Sequence, residues 1–450
     1  MQSNESEKKT YTPIKNHKQF LNFVNFRSRE KKFVLRNSLL TDIFDNNHTR
    51  NLYNVYVIVF AGLCLQNALR DYVKDGRVDF GLETIGKGFA KFDKAILIWL
   101  CCFLSTCATF FLFKIWGKFR TWDKKLTRTW DWFWAAALGL YYFYTLKLTS
   151  TATLYFEFNP PCAAFVSMES VRLLMKVHSF VRVKAPPLMS ASEDAKFSNF
   201  LYFLFAPTLI YRDSYPRTKH INWNFVICRL VEAISMVFML TFIVEAIYPT
   251  PERWLAKYTI KDTILFITDC IPHGGLAVYA TFFLVFHSVQ NLFAEVTRFG
   301  DRLFYQDWWN ESRHNRWLAK WNLLVRDWLY YFVYRDFKHY ICDNNYLGIF
   351  VVFVVSFAMH EYVIFCFLGK FVPCFLFLAV VAIFPMFFLN LPEGIFLKVF
   401  LWCFGYLVTS AIMILYTFEH YAVMKAPLKD RTLLELIIPR FITCDCVLKF

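Results

Sequence analysis

Val351–Leu368 reads VVFVVSFAMHEYVIFCFL. As a helix rising 1.5 Å per residue, it is long enough to cross most of the roughly 30 Å of hydrocarbon in a bilayer. His360 and Glu361 interrupt an otherwise apolar run. A charged group at that depth costs roughly 2.5–3.5 kcal/mol on insertion scales, and even a neutral imidazole needs partners for two ring nitrogens. Ionisable residues inside a membrane segment face a bundle interior or a water-filled cavity and mark a path or a reaction site. His360 is therefore the first candidate functional residue. Glu361 points about 100° away around the helix and reads as a structural partner, whereas Ser356 lies one turn earlier on the His360 face.

Working outward, the 450-residue chain is 57% hydrophobic and 20% aromatic, well above a soluble domain, and carries a formal charge of +15. Its basic residues cluster in short loops between apolar runs. That is the positive-inside pattern of cytoplasmic loops and requires no nucleic acid. Most of the 13 cysteines sit within apolar runs as small hydrophobes, with no CxxC pair, so neither a disulfide framework nor a metal site is expected.

The expected fold is all-α, a polytopic transmembrane helix bundle of eight to ten membrane helices. Residues 1–45 form a polar tail without an apolar signal-peptide core, and residues 46–450 form the membrane domain. Spans are expected at Leu52–Leu69, Ala95–Trp116, Trp130–Phe156, Phe225–Ile247, Tyr346–Leu368, Phe371–Leu391 and Phe396–Thr417. The Pro160–Pro161 pair reads as a break. The helix after it, about Ala163–Val181, carries Glu169, Arg172 and Lys176 and reads as interfacial or partly buried. Residues 183–222 read as a polar connector. Asp262–Phe299 is expected to be broken at Pro272-His273-Gly274-Gly275. No internal repeat of the transporter kind is present.

A second unusual segment, Phe299–Tyr340, mixes aromatics with Asp307, Asn310, Asn322, Arg326, Asp327, Arg335 and Asp336. On composition alone it is an interfacial belt. From Trp317 onward its spacing is helical, with Asn322 and Arg326 as i,i+4 neighbours. A helix polar on one side and aromatic on the other would line a cavity leading to His360. His287, with Asn291 one turn on, reads as structural. Asp307 reads as a buried carboxylate needing Arg302 or Arg313.

The heptapeptide Phe304-Tyr305-Gln306-Asp307-Trp308-Trp309-Asn310, followed by Ser356-Phe357-Ala358-Met359-His360-Glu361-Tyr362, resembles the FYxDWWN and SAxxHEY signatures of the sterol O-acyltransferases, a branch of the membrane-bound O-acyltransferases (MBOAT). Phe205–Arg217, Phe293–Arg302 and the stretch from Tyr421 to Cys444 extend the resemblance. It implies an MBOAT bundle of about nine membrane helices around an intramembrane tunnel, in the endoplasmic-reticulum membrane, assembled as a homodimer or homotetramer. It implies transfer of a long-chain acyl group from acyl-CoA to the 3β-hydroxyl of a sterol drawn from the bilayer lipid. Acyl-CoA is a co-substrate, and no cofactor, metal or nucleic acid is implied.

The catalytic pair implied by the resemblance is His360 with Asn322 of Lys320-Trp321-Asn322. The implied acyl-CoA or substrate contacts are Trp321, Tyr334 and Ser356, with Lys320 as the nearest cation. Tyr305, Asp307, Trp308 and Asn310 would shape the acyl-CoA entry. Two departures from the family pattern are visible. The family lysine between heptapeptide and histidine has no counterpart in Cys342–Gly348. The cysteine before Pro-Leu-Lys is Ala426, so a lumenal disulfide to Cys444 cannot form that way. Acyl transfer to another alcohol, such as diacylglycerol, is the alternative within the enzyme class. A proton-relaying transporter lacks the repeats and further intramembrane acids it would need.

Overall fold

The computed structural model describes residues 31–120, 126–189, 195–247, 260–371, 394–426 and 438–440. Helices dominate. The described residues show only isolated β-bridges, Arg36 with Asp301 and Arg217 with Phe299. The helices are α1 (Leu39–Asp45), α2 (Asn47–Asp75), α3 (Leu82–Gly88), α4 (Phe92–Arg120), α5 (Thr127–Tyr155), α6 (Pro160–Met189), α7 (Phe197–Phe205) and α8 (Trp223–Ile247). After these come α9 (Ile260–Phe282), α10 (Gln290–Val296), α11 (His314–Trp321), α12 (Leu323–Leu329), α13 (Arg335–Tyr340), α14 (Asn345–Leu368) and α15 (Ile395–Lys425).

Among the described residues, six helical stretches have the length and apolarity to cross a membrane: Thr49–Lys74, Phe92–Arg120, Trp223–Ile247, Ile264–Val296, Asn345–Leu368 and Ile395–Val423; the expected span at Trp130–Phe156 forms the 29-residue helix α5 but is less apolar than these six. The chain is a multi-pass membrane protein. The expected span at Phe371–Leu391 falls outside the described residues, apart from Phe371, as do Cys444 and the tail beyond Arg440.

Three expectations change. Pro160–Pro161 opens α6 rather than breaking the chain, because proline at the first helical turn sacrifices only an N–H that has no intrahelical acceptor. α6 then runs 30 residues, through Pro186–Pro187, so the polar connector is shorter than the sequence suggests. Of the two readings of α6, the partly buried one fits. Lys176 is 1% exposed, and its ammonium donates to the carbonyls of Phe203 (2.6 Å), Leu204 (2.9 Å) and Ala206 (2.7 Å). Arg172 reaches the Leu204 carbonyl at 2.7 Å while holding Glu169. These cations close the carbonyl end of α7, where four acceptors would otherwise lack partners.

The third change is at Pro272, which sits inside α9 without ending it. The backbone groups around it find substitutes, as membrane helices require. His273 Nδ1 donates to the Asp269 carbonyl at 2.5 Å, and the Ser410 hydroxyl of α15 lies within hydrogen-bond distance of the Cys270 and Ile271 carbonyls, at 3.0 and 3.2 Å, and of the Tyr406 carbonyl one turn before it, at 2.7 Å. The Gly274-Gly275 pair serves this close crossing. A Cβ at Gly274 would meet Ser410 Oγ at 2.2 Å, and one at Gly275 would meet the Tyr406 ring at 2.6 Å. The helix irregularity comes later, as a π-helical segment at Phe283–Val289.

The largest buried cluster gathers Phe110, Phe180, Phe200, Tyr211, Phe282, Phe304, Tyr305 and Trp308. The stretch before α1 is built into it. Arg36 pairs with Asp301 at 2.6 Å, and its backbone meets Gly300 and Arg302.

Candidate active site

The heptapeptide folds alongside the Lys320–Leu323 strand of chain. Gln306 N–H donates to the Lys320 carbonyl and Leu323 N–H to the Phe304 carbonyl, both at 3.0 Å. Because the Leu323 N–H bonds sideways to Phe304, it is lost to an i→i−4 helix bond. The helix stops at Trp321, and Asn322 takes an extended conformation (φ −137°, ψ 92°) between α11 and α12. This corrects the expectation of a continuous helix from Trp317. Asn322 lies at a break, and its Oδ1 caps α12 by accepting the Val325 N–H at 3.1 Å. With the carbonyl end committed, the amide –NH2 is the end offered to a ligand.

Asp307 reaches neither Arg302 nor Arg313. It pairs with Lys320 at 2.7 Å, and its side chain is 46% exposed rather than buried. Arg302 is taken by Glu295. Lys320 also holds Glu311, a residue the sequence reading passed over because nothing in the spacing links positions 311 and 320. Burial lowers the Lys320 pKa, but the bonds to Asp307 and Glu311 outweigh it and leave the ammonium above the ordinary lysine range. Asn310 ends a short 3-10 turn, Trp308–Asn310, and is exposed.

Aromatic rings fix the same junction. Trp308 is 1% exposed and meets Trp321 edge to face at 4.5 Å between centroids, with Trp317 stacked on Trp321 at 5.0 Å. Phe282 of α9 touches Tyr305, Trp308 and Trp321 at 4.9–5.0 Å. Such edge-to-face pairs contribute about 0.5–1.5 kcal/mol each beyond burial. Tyr305 is fully buried, and its hydroxyl meets His287 Nδ1 at 2.8 Å. The other nitrogen of His287 accepts from Arg229, which can only donate. Both ring nitrogens are committed, so His287 is structural.

His360 stands on the exposed side of α14. Its Nδ1 meets the Ser356 backbone carbonyl at 2.7 Å. A carbonyl only accepts, so in the neutral ring Nδ1 carries the proton and Nε2 the lone pair. The opposite side of the helix is packed. Glu361 is 7% exposed, and Tyr362 bonds to Thr149 of α5 and to Ser170 of α6 at 3.4 Å. The end of the helix is held by a buried ion pair, Lys370 with Glu419 of α15 at 2.6 Å.

Tyr334 joins the two regions. It ends a π-helical turn, Tyr330–Tyr334, is buried, and donates to Asn345 Oδ1 at 3.0 Å. Lys338 reaches the same oxygen at 2.5 Å, and a Cβ on Gly348 would lie 3.0 Å from the Tyr334 ring. Asn344 caps α14 through the Tyr346 and Leu347 N–H groups, and Asn345 beside it holds Tyr334. Asn-Asn before an apolar run is a helix-start signal that marks them.

The structure thus gathers Tyr305, Asp307, Trp308, Lys320, Trp321 and Asn322 in one body, and Tyr334, Ser356 and His360 along a second. No hydrogen bond joins His360 to Asn322 among the described residues. Gly348 precedes His360 by 12 residues, about 18 Å of helix, so the candidate site is elongated. No cluster of His, Cys, Asp or Glu among the described residues has the makings of a metal site.

A helical membrane bundle with a histidine on an apolar helix and an aromatic-acidic motif folded onto an Asn-bearing break defines a class, and the chain belongs to MBOAT, the membrane-bound O-acyltransferase family, whose profile it matches over residues 87–418. It is an acyltransferase. Within that family it is similar to sterol O-acyltransferase 1 of Cricetulus griseus, 32% identical over 433 residues that cover 93% of this chain and 79% of the relative. It is likewise similar to sterol O-acyltransferase 2 of Homo sapiens, 30% identical over 434 residues, 92% and 81% of the two chains.

Proposed function

We propose that this chain transfers a long-chain acyl group from acyl-CoA to the 3β-hydroxyl of a membrane sterol, releasing steryl ester and free coenzyme A. The observation that carries the reading is the folding of the FYQDWWN heptapeptide onto Lys320-Trp321-Asn322, in a chain alike over nine-tenths of its length to sterol O-acyltransferases. The endoplasmic-reticulum membrane and a homo-oligomeric state belong to the same proposal.

A sterol hydroxyl is a weak nucleophile at neutral pH. In the proposed mechanism His360 Nε2 accepts its proton as the oxygen attacks the thioester carbonyl. The Asn322 amide donates to the carbonyl oxygen as negative charge develops there. Collapse breaks the carbon–sulfur bond, and the proton held on His360 passes to the departing thiolate. The proton is returned, no electrons leave the system, and no acyl-enzyme, metal or cofactor is called for. Ser356 acts through its backbone carbonyl, which fixes the ring tautomer. Lys320, Trp321 and Tyr334, with the heptapeptide, hold acyl-CoA along the elongated site.

The test is acyl transfer in microsomes from cells without sterol esterification of their own, given labelled oleoyl-CoA with cholesterol or with diacylglycerol. Wild type makes steryl ester, and His360→Ala at matched expression falls by about 10²–10⁴-fold. Triacylglycerol in place of steryl ester refutes the acceptor, and equal activity in both forms removes His360 from the chemistry.

A further inference from the structure

Away from the candidate site, the end of α4 and the first turns of α5 border an open, shallow crevice of about 490 Å³ lined by Arg120, Thr127, Arg128, Asp131, Trp132 and Ala135. Its charge is unbalanced. Asp131 is already occupied, accepting Trp116 Nε1 at 3.0 Å and Arg120 through Nε at 2.9 Å and Nη2 at 3.0 Å. That grip fixes the Arg120 guanidinium, which also lies 5.8 Å from the Trp116 ring, and leaves its Nη1 hydrogens to a ligand. Arg128, one turn before Asp131 and exposed, has no ion-pair partner among the described residues. Two guanidiniums against one saturated carboxylate leave one positive charge facing a cavity, where planar N–H donors match phosphate oxygens.

The setting says where the phosphate comes from. Trp132 is 69% exposed beside the crevice, and Leu140 and Phe143 further down α5 are 55% and 58% exposed. A polar rim over an apolar helix face is how a lipid-facing helix meets the headgroup layer, with tryptophan at that level. The sequence from Lys118 to Arg128 holds five basic residues, Lys118, Arg120, Lys124, Lys125 and Arg128, against Asp123. That excess marks the cytoplasmic side, the leaflet rich in anionic lipid.

We propose that this crevice binds the headgroup of an anionic phospholipid from the cytoplasmic leaflet, its phosphate between Arg120 and Arg128 and its acyl chains along the exposed face of α5. Arg128 supplies the selectivity over zwitterionic lipid, because Arg120 is partly neutralised by Asp131.

The test uses the full-length protein in neutral detergent micelles, with bound lipid counted by native mass spectrometry during titration with phosphatidylserine or phosphatidylcholine. Wild type retains phosphatidylserine in preference to phosphatidylcholine. Arg128→Gln weakens that retention about fivefold, as expected for one arginine at a membrane surface, and Arg128→Lys weakens it less. Arg128 has no ion-pair partner to lose among the described residues, so both variants are expected to fold, and the readout does not depend on acyl transfer. Equal retention of the two lipids, or phosphatidylserine retention unchanged in Arg128→Gln, overturns the proposal. Displacement of the lipid by adenosine 3′,5′-bisphosphate also overturns it, assigning the crevice to a soluble phosphate instead.

Discussion

Asn322 does two jobs that a single alanine substitution would confuse. Its Oδ1 caps α12 through Val325 N–H, and its –NH2 is proposed to stabilise the oxyanion. Losing an N-cap costs about 1 kcal/mol of stability. Losing one oxyanion donor costs about 2.7–4 kcal/mol of transition-state stabilisation, or 10²–10³ in turnover. Asn322→Ala removes both. Asn322→Asp keeps the cap, since aspartate ranks with asparagine there, and is nearly isosteric, but it replaces the donor with an acceptor. Turnover with oleoyl-CoA and cholesterol is read beside the thermal midpoint of the purified protein. Asn322→Asp should melt like wild type yet lose at least 10²-fold in turnover with little change in KM, whereas Asn322→Ala should lose both. If Asn322→Asp keeps turnover within a few-fold while Asn322→Ala does not, the residue acts as a cap alone and the oxyanion role is wrong.

Lys320→Met strands Asp307 and Glu311 together. The half-exposed Asp307 forfeits about 1 kcal/mol or less. Glu311, at 13% side-chain exposure, keeps Arg316 at 3.9 Å as its remaining ion-pair partner among the described residues, so its loss adds about 1–3 kcal/mol. Asp307→Asn, which leaves the Lys320–Glu311 bond in place, should be milder in the same denaturation assay. The pH dependence follows from the raised lysine pKa. The contribution of Lys320 is complete below the unfolded value near 10.4 and lost as pH rises through the higher folded one, so the gap between wild type and Lys320→Met stays flat across neutral pH and narrows only in strong alkali. A gap that closes between pH 6 and 9 would contradict this sign. Gly275→Ala drives a methyl to 2.6 Å from the Tyr406 ring and should cost about 1–3 kcal/mol; adding Tyr406→Ala should recover part of it in a double-mutant cycle, and strict additivity of the two costs would mean that the helices do not meet there.

The membrane helices were legible because hydropathy over a span is a sum of many residues, which no single contact can overturn. Asn345–Leu368 and Phe92–Arg120 extend the expected limits by a turn or less at most ends. What sequence could not show was where one residue's partner lies. Lys176 reads as a charge unfit for the core until the carbonyl end of α7, about 30 residues on, arrives to accept it. Pro272 reads as a stop until α15, some 140 residues away, packs Ser410 against the Cys270 and Ile271 carbonyls. Asp307 reads as buried beside Arg302, but Glu295 claims that arginine first. His360 was legible from the cost of an ionisable residue in an apolar span, whereas its pairing with Asn322 and the heptapeptide came from resemblance. The helix break that gives Asn322 its free amide end depends on the Leu323–Phe304 bond, which no local propensity encodes.

That break also explains why two bodies suit acyl transfer. A thioester must be gripped along its length while its carbonyl meets an acceptor from elsewhere, so the donor to the oxyanion and the base for the nucleophile are best carried by separate elements. Here the break carries Asn322 and a straight helix carries His360. Their relative placement depends in part on a small hinge at the start of α14, where Tyr334 and Lys338 share Asn345 Oδ1 and the Tyr334 ring rests on Gly348, beside the Tyr362 contacts with α5 and α6. Because the hinge lies about 18 Å from His360 along α14, a small tilt there would become a displacement of ångström size at the proposed base. Loss of geometry on that scale is enough to cost 10²-fold in rate. Residues of the hinge can therefore govern turnover without touching the reacting atoms.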